Sequence, residues 1–456
     1  MVKQKNRAME RINALLDTDS FVETGRHIRG KRTEYNKDPA EAEGDGVITG
    51  YGLVNGRLVY IYSQDCSVLN GTLGIMHAKK IIKLYELALK SKSPVIGFLD
   101  CAGIRLSEGL DAMEGLGGIF KKQTAASGII PQIVGIFGNC GGGLAFMNAF
   151  ADFTFLENGN GKLFVNSPAV LEGNKELNHY PMHEEADSIG TAHEIIGKIR
   201  DLIRILPASN REDAELFKTN DDLNRMVPDI ENYRSDGRGL LTSISDDGFF
   251  LEAKELKHPE TVTGFIKLNG RTVGAIAACN QKLASEGCTK AREFVSFLDA
   301  FDIPLITFVN LKEIGSSNEE EKRIGKAAGM LAKVLIHSSI PKINLIIEKG
   351  IGSSYLVMNS IHIGADVSLA WEGSSVGAIS SENAARVFCK EEKELSLIKQ
   401  EEAKYEMLQN NPAYAAGEGY LDAIIAPEET RQRVIASLEM ISFKGEEKPS
   451  KKHIVQ

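Results

Sequence analysis

The sequence has no pair of cysteines at CxxC spacing. Its six cysteines, Cys66, Cys101, Cys140, Cys279, Cys288 and Cys389, are scattered along 456 residues, and that spacing excludes a zinc ribbon and a thioredoxin-like redox motif. They read as reduced, mostly buried thiols of a cytoplasmic protein. Long apolar runs are missing too. None approaches the roughly 18–20 residues that a membrane-spanning helix needs, so any membrane role is expected to pass through a partner. The N-terminal MVKQKNRAMERINALL is charged and helical in pattern, with no signal-peptide core. Positive charge is not in excess: 53 Lys and Arg stand against 62 Asp and Glu, a net charge of −9. A nucleic-acid partner is therefore not expected, although a local basic patch can still attract an anionic ligand. No HExxH and no Gly-Lys-Ser/Thr phosphate loop occurs. His179 and His183 are four apart, but Pro181 lies between them, so they read as loop histidines and no metal is expected.

What the sequence does have is a stretch from Pro131 to Val165. The apolar run Ile133–Phe137 reads as a buried strand, stops at Gly138-Asn139-Cys140-Gly141-Gly142-Gly143, and leads into a helix-compatible run, Leu144–Ala151. A strand, a glycine turn and a helix together present backbone N–H groups that lack intrahelical acceptors. Without Cβ atoms a ligand can approach that backbone closely. Such a turn holds a phosphate or an oxyanion, and on its own it serves equally as a tight crossover.

The layout occurs twice. Ala8–Leu16 reads as an amphipathic helix, Val47–Ser63 as a hairpin about Asn55-Gly56, and Leu73–Lys90 as a helix with Ile75, Ala78, Ile82, Tyr85 and Leu89 on its apolar face. Pro94–Leu99 reads as a buried strand. Met113–Ala126 is helical in character despite Gly115, Gly117 and Gly118, and Ala192–Ile205 reads as a helix. Pro207–Asp247 is charged and turn-rich, as a linker would be. From Gly264 the order restarts. A hairpin surrounds Asn269-Gly270, and helices are expected at Ala291–Phe301 and Glu319–Ile336. Buried strands are expected at Pro304–Val309 and Pro341–Ile347, followed by the turn Gly350-Ile351-Gly352-Ser353-Ser354 and a helix from Tyr355. Pro304 follows Pro94 by 210 residues and Pro341 follows Pro131 by the same 210. Asn269 follows Asn55, and Asp366 follows Asp152, by 214. Two related α/β domains in tandem are the simplest source of this regularity; we place them at 1–235 and 236–456.

Single residues carry less. His77 reads as a satisfied helix-face histidine. Lys79, Lys80, Arg105, Lys121 and Lys122 read as solvated faces that can also draw in a phosphorylated ligand. Met76, Met113 and Met147 read as core filler. Asp100 and Asp152, at strand ends, read as hydrogen-bonding the next loop.

Several segments together carry a family likeness. They are AMERINALLDTDSFVETG (8–25), GDGVITGYGLVNGRLVYIYSQDCSVLNGTLGIMHAKKI (44–81), SPVIGFLDCAGIRLSEGL (93–110), GNCGGGLAFMNAFADFTFL (138–156), GFIKLNGRTVGAIA (264–277), AWEGSSVGAI (370–379) and AAGEGYLDAIIAPEETRQRVIASLEM (415–440). In these segments the chain resembles the carboxyltransferase subunits of biotin-dependent acyl-CoA carboxylases and decarboxylases, of the propionyl-CoA carboxylase β and methylmalonyl-CoA decarboxylase α type. The resemblance implies two crotonase-like domains, each a spiral of ββα units. It implies that the first binds an acyl-CoA and the second, from a partner subunit, binds biotin on a carrier protein, within a dimer or hexamer of this chain. By position it assigns Gly142 and Gly143 to the thioester oxygen and Ser353 and Ser354 to the biotin ureido oxygen, with biotin as the base. Ala102, Gly103, Ile104, Arg105 and Gly141 fall beside the acyl-CoA. No Met-Lys-Met biotinylation motif is present, so biotin is expected in trans. Biotin carboxylase or a membrane decarboxylase subunit are the further partners implied.

The second half departs from the family pattern. Gly352-Ser353-Ser354 stands where Gly-Gly-Ala is usual, Asn310–Gly315 stands where a Gly-Phe-Leu-Pro-Gly loop is usual, and Glu372 replaces a proline after Ala-Trp. Two other readings therefore stay open. One is a biotin-independent acyl-CoA decarboxylase or isomerase working from the first domain, and the other is a non-catalytic scaffold subunit.

Overall fold

The computed structural model describes residues 7–35, 43–166, 180, 182, 185–212, 216–390, 394–442 and 444. His179 and His183, expected in a loop, lie outside the described residues. The chain divides into two compact units between Ala214 and Glu215, not at 235/236. The cause is a run of apolar side chains inside the charged segment. Val227, Ile230, Leu240, Leu241 and Ile244 are buried in the second unit's core, and Val227 N–H donates to the Glu428 carbonyl at 2.9 Å. From Leu216 onward the expected linker is part of the second unit.

The first unit contains helices α1 (Arg7–Leu15), α2 (Ile75–Ser91), α3 (Leu110–Ala126), α4 (Phe146–Ala149) and α5 (Ala192–Ile205). Its strands are β1 (Val22–Thr24), β2 (Val47–Val54), β3 (Arg57–Gln64), β4 (Val95–Cys101), β5 (Gln132–Gly141), β6 (Phe153–Glu157), β7 (Lys162–Phe164) and β8 (Ser188–Gly190). They form one sheet in the order β1-β2-β3-β4-β5-β6-β8, with β7 paired to β5. The first three strands are antiparallel and the rest parallel. Helices α2 and α3 are the crossovers that parallel neighbours require. Tyr62, Leu99, Val134 and Ile136 point from one face of the sheet into a core with Ile81, Leu84 and Tyr85 of α2. Residues of opposite parity, Phe98 and Phe137, meet edge to face at 5.0 Å, and the Arg11 guanidinium of α1 lies 5.0 Å from the Phe137 ring centre.

The second unit repeats this plan. It contains α6 (Gly237–Ile244), α7 (Ser285–Ala300), α8 (Asn318–His337), α9 (Gly352–Leu356), α10 (Ser381–Phe388), α11 (Leu395–Gln409), α12 (Pro412–Gly417) and α13 (Thr430–Ile441). Its strands are β9 (Phe250–Ala253), β10 (Thr261–Leu268), β11 (Arg271–Leu283), β12 (Leu305–Ile314), β13 (Lys342–Ile351), β14 (Val367–Trp371), β15 (Ser375–Gly377) and β16 (Ala423–Ile425). The sheet runs β9-β10-β11-β12-β13-β14-β16, with β15 paired to β13. β13 begins and ends 210 residues after β5 at both termini.

The duplication reaches the side chains. In both hairpins the Asn-Gly pair has positive φ, 51° and 77° at Asn55-Gly56 and 51° and 73° at Asn269-Gly270, the two-residue turn whose twist suits the strands. In the first unit Asp17 accepts from the turn N–H groups of Asn55 and Gly56 at 3.1 and 2.8 Å. Arg200 of α5 donates to Asp17 at 2.9 Å and also to the Leu15 carbonyl. In the second unit Asp246 accepts from Asn269 and Gly270 at 3.2 and 2.7 Å. Arg431 of α13 donates to Asp246 and to the Ile244 carbonyl, both at 2.7 Å. Asp152 and Asp366 match in the same way, each accepting at 2.8 Å from the first N–H of the neighbouring strand, Gln132 and Lys342.

The helix expected at Met113–Ala126 is present as α3, and three other local expectations differ from the structure. The buried face of α2 is His77, Ala78, Lys80, Ile81, Leu84, Tyr85 and Ala88, so Ile75, Ile82 and Leu89 sit at its margin. α3 is continuous because Gly115 and Gly118 face α2: a Cβ at either would lie 2.7 Å from Ala78 Cβ or Ile82 Cδ1. The helices after the two glycine turns are only one turn long, and Met113 is exposed where a core position was expected.

Candidate active site

In parallel α/β sheets ligands bind beyond the carboxyl ends of the strands. In the first unit β4 and β5 end side by side there, with Cys101 opposite Cys140. The strand expected to stop at Phe137 continues to Gly141, because β7 pairs with its last three residues, Asn139, Cys140 and Gly141. Gly141 is extended, with φ −118°. Phe164 stacks over it so closely that a Cβ would meet the ring at 2.6 Å. Gly142 follows at φ +62°, with no atom within 4 Å of a Cβ position. Gly142 and Gly143 open a 3-10 turn, Gly142–Ala145, that runs into α4. The first N–H groups of such a turn have no intrahelical acceptor, and Gly142 and Gly143 are half-buried.

The loop after β4 lies beside this turn. Ala102 is exposed, and Gly103 has φ 126°. Ile104 bridges Leu73: Leu73 N–H donates to Gly103 O at 2.9 Å and Arg105 N–H to Leu73 O at 2.8 Å. Arg105 is not a solvated residue. Its side chain is 4% exposed and bonds the Asp45 carboxylate, Glu108 at 2.8 Å, and the Thr72 carbonyl at 2.6 Å. Glu108 also accepts from Ile75 N–H at 2.7 Å and so caps α2. Lys80 is buried as well and donates to the carbonyls of Gly44 and Val47. Burial pulls its ammonium down to about 8, against the pull of Glu23 and Asp45. Lys79 and Lys121 are exposed, as expected. Asp100, expected to bond its own loop, instead pairs with Arg11 of α1 at 3.2 Å.

His77 is satisfied, as expected. Its ring contacts the Asp45 carbonyl through Nδ1 at 2.9 Å and Gln64 through Nε2 at 3.4 Å. Burial, with the charges of Arg105 and Lys80, lowers its pKa from 6.5 to about 3. Between those values the unfolded chain binds a proton that the folded ring refuses. Stability is therefore full above about 6.5 and falls as pH drops, by about 1.4 kcal/mol per pH unit within the window. Urea midpoints taken from pH 7 to pH 5 should fall more steeply for the native protein than for His77→Gln. Equal slopes would show that His77 does not titrate on unfolding.

The second turn has the same backbone. Ile351 is extended at φ −119° and Gly352 has φ +62°, matching Gly141 and Gly142. By the 210-residue offset Ser353 stands where Gly143 does, and Ser354 where Leu144 does. Ser353 is exposed. Ser354 is buried, and its hydroxyl donates to the Ile351 carbonyl at 2.8 Å. A Cβ on Gly352 would meet Ala378 O at 3.2 Å. Beside it is a cavity of about 500 Å³ lined by Ile351, Lys312, Lys349, Ser375, Glu382 and Glu406. Lys312 pairs with Glu382 at 2.8 Å and Lys349 with Glu406 at 3.6 Å. Glu372, in place of a proline, donates its N–H to Ile425 O at 3.0 Å and extends the β14–β16 pairing. A proline cannot make that bond.

The structure thus brings Ala102, Gly103, Ile104, Gly141, Gly142 and Gly143 to the carboxyl ends of neighbouring strands β4 and β5 in the first unit, and Ser353 and Ser354 to the corresponding end of β13 in the second. Sequence reasoning missed Asp45 and Thr72, which lie far from Arg105 in the chain. Glu108, three residues after Arg105, offered only a spacing. All six cysteines are free, and Cys101, Cys140, Cys279 and Cys288 are buried. Among the described residues no group of His, Cys, Asp and Glu is set to hold a metal, and no helix is long and apolar enough to cross a membrane.

A family model described as the carboxyl transferase domain matches residues 2–455. The chain is 34% identical over 473 residues to the propionyl-CoA carboxylase beta chain of Roseobacter denitrificans, covering 98% of this chain and 92% of that protein. It is also 34% identical over 477 residues, with the same coverage, to the methylmalonyl-CoA decarboxylase subunit alpha of Veillonella parvula. Its fold matches a transcarboxylase 12S crystal structure, a hexamer with methylmalonyl-coenzyme A bound, at a TM-score of 0.92 and 30% identity, covering 98% of this chain and 92% of that one. The two crotonase-like units, their paired turns and these similarities lead to one conclusion: the chain belongs to the carboxyl transferase family, as a biotin-dependent acyl-CoA carboxyltransferase of the propionyl-CoA carboxylase, methylmalonyl-CoA decarboxylase and transcarboxylase type.

Proposed function

We propose that the first unit holds a short acyl-CoA, with its thioester oxygen on the N–H groups of Gly142 and Gly143 and the backbone of Ala102, Gly103, Ile104 and Gly141 alongside. Losing the α-proton puts negative charge on the thioester oxygen. Two N–H groups fixed before the reaction stabilise that charge by about 3 kcal/mol or more, because nothing has to reorganise. The second turn serves the ureido oxygen of biotin through the N–H groups of Gly352 and Ser353; Ser354, assigned to that oxygen by the resemblance, stands where Leu144 does, and its buried hydroxyl, tied to Ile351 O, braces the turn. Biotin, brought on a separate carrier protein, supplies or takes up the carboxyl group when bound. The matching backbone at Gly142 and Gly352, φ +62° in both, is the observation that carries this reading.

The chain acts as a homo-oligomer, dimer or hexamer, in the cytoplasm, with the biotin carrier and a biotin carboxylase or a membrane decarboxylase subunit as partners. The exposed Leu106, Leu110 and Met113 about the start of α3 support self-association. The test is calorimetric titration with acetyl-, propionyl- and methylmalonyl-CoA, followed by free biotin and a biotinylated carrier. At least one thioester should bind, the tightest marking the substrate, and the carrier should bind more tightly than free biotin. Turnover that avidin leaves untouched would overturn the role given to the second turn.

A further inference from the structure

Comparing the two units separates what their common plan requires from what one unit adds. Each unit has a carboxylate after its fourth-strand loop that caps the preceding crossover helix. Glu108 accepts from Ile75 N–H at the start of α2, and Glu320 accepts from the N–H and hydroxyl of Ser285 at the start of α7. Each unit also pins that loop by one backbone bond at the same register, Arg105 N–H to Leu73 O at 2.8 Å and Gly315 N–H to Leu283 O at 3.0 Å. There the likeness stops. The position of Arg105 is Gly315 in the second unit, and the position of Asp45, by the hairpin offset of 214, is Pro259. The second unit builds the loop with no buried guanidinium; the ion pair there, Lys282 with Glu313 at 3.1 Å, is exposed.

The first unit's additions are buried and specific. The Arg105 side chain is 4% exposed, and those of Asp45 and Glu108 are fully buried. The guanidinium spans three separate segments. It bonds Asp45 in the turn before β2, the carbonyl and hydroxyl of Thr72 before α2, and Glu108 beyond the loop itself. The planar fork packs against Gly74, where a Cβ would meet Arg105 Nη1 at 2.5 Å and Glu108 Oε1 at 2.4 Å. Asp45 is held in turn: its carboxylate accepts from His77 N–H at 2.7 Å. Buried ion pairs are poor sources of stability compared with packed apolar side chains, and the second unit shows the fold does without this one. The pair adjoins in sequence the Ala102–Ile104 backbone, which Leu73 N–H holds at Gly103 O at 2.9 Å.

We propose that Arg105 is a positioning residue for the acyl-CoA side of the reaction: anchored by Asp45, Glu108 and Thr72, it sets the Ala102–Ile104 backbone against the Gly142–Gly143 turn without touching the thioester itself. This rests on the reading of the first unit as the acyl-CoA site. A small misplacement of a positioning loop is enough to lower kcat/KM by about 100-fold.

The experiment compares the full-length protein with Arg105→Met, Arg105→Lys and Glu320→Gln. The last removes the corresponding brace of the second unit and serves as a control for stability. The first readout is hydrogen exchange of the Ala102–Ile104 amides. Arg105→Met should speed their exchange at least tenfold, Arg105→Lys should restore part of the protection by keeping the charge without the fork, and Glu320→Gln should leave these amides unchanged. The second readout is calorimetric Kd for propionyl-CoA, which should weaken at least tenfold in Arg105→Met and stay within twofold in Glu320→Gln. Unchanged exchange in Arg105→Met overturns the proposal, as does faster exchange with an unchanged Kd. Equal weakening in Arg105→Met and Glu320→Gln also overturns it, by reducing Arg105 to general stability. If Arg105→Met does not fold, Arg105→Lys is read against the same criteria, and native exchange and Kd in it overturn the proposal. A native protein that binds none of acetyl-, propionyl- and methylmalonyl-CoA overturns the assignment of the first unit, a result separate from any effect of Arg105.

Discussion

Gly143→Val should lower kcat by about 10²–10³-fold, the loss seen when one oxyanion donor is removed, while the protein stays folded. The position suits such a test. Gly143 does not need the left-handed region that Gly142 occupies at φ +62°, so a branched residue brings no backbone strain. Its Cβ would come to 3.0 Å from Leu116 Cδ2, a flexible tip that can move by a few tenths of an ångström. The two methyl groups of valine add bulk beside the Gly142 and Gly143 N–H groups and should keep a ligand from them. At Gly142 the same substitution would mix blockage with strain of roughly 1–2 kcal/mol. The measurement is steady-state turnover of the tightest-binding thioester, with thermal unfolding recorded alongside. Native turnover in a folded Gly143→Val protein would remove this turn from the mechanism.

The second large effect falls on stability. Arg431→Leu should destabilise the second unit by about 3–5 kcal/mol, the range for removing one partner of a buried ion pair. Arg431 is 0% exposed and Asp246 2%, and Asp221 lies 3.6 Å from the same guanidinium. The leucine would leave a buried carboxylate without its countercharge. The Asp246 carboxylate would still hold the hairpin turn, but the Ile244 carbonyl would lose its donor. Arg200→Leu in the first unit provides the contrast. Arg200 and Asp17 are each 30% exposed, water can take over as partner, and the loss should be about 1 kcal/mol or less. Urea unfolding with a probe in each unit would show the second transition moving far and the first little. Equal shifts would mean that exposure does not set the worth of this clasp.

What the sequence made legible follows from how local each signal is. The Asn-Gly hairpins, the apolar strands and the crossover helices are written within ten or twenty residues, and the constant offset exposed the duplication without any partner being known. The two glycine turns were legible for the same reason. The buried polar cluster was not. Arg105, Lys80 and His77 look like ordinary surface residues on a helix or a loop, and their burial depends on Asp45, Thr72 and Gly44 folding over them. The apolar face of α2 was misplaced because two of its buried positions, His77 and Lys80, are polar residues that no hydrophobic period marks. The unit boundary was misplaced because charge dominates the segment from Leu216 to Asp247, while a few apolar residues decide where it packs. The one-turn length of α4 and α9 depends on how closely the next strand follows, which composition does not encode.

The paired clasps also bear on how the chain is made. Each arginine joins parts of its unit that are far apart in the chain: Arg200 reaches back 185 residues to Leu15 and Arg431 reaches back 187 to Ile244. Both clasps can close only late in the synthesis of their unit, once the last helix has left the ribosome. At roughly 5–20 residues per second, the first unit can close around Arg200 while most of the second is still untranslated. The nascent chain then carries one finished sheet while the other is being added strand by strand. The second unit's clasp waits for Arg431, which must reach back to a carbonyl made 187 residues earlier.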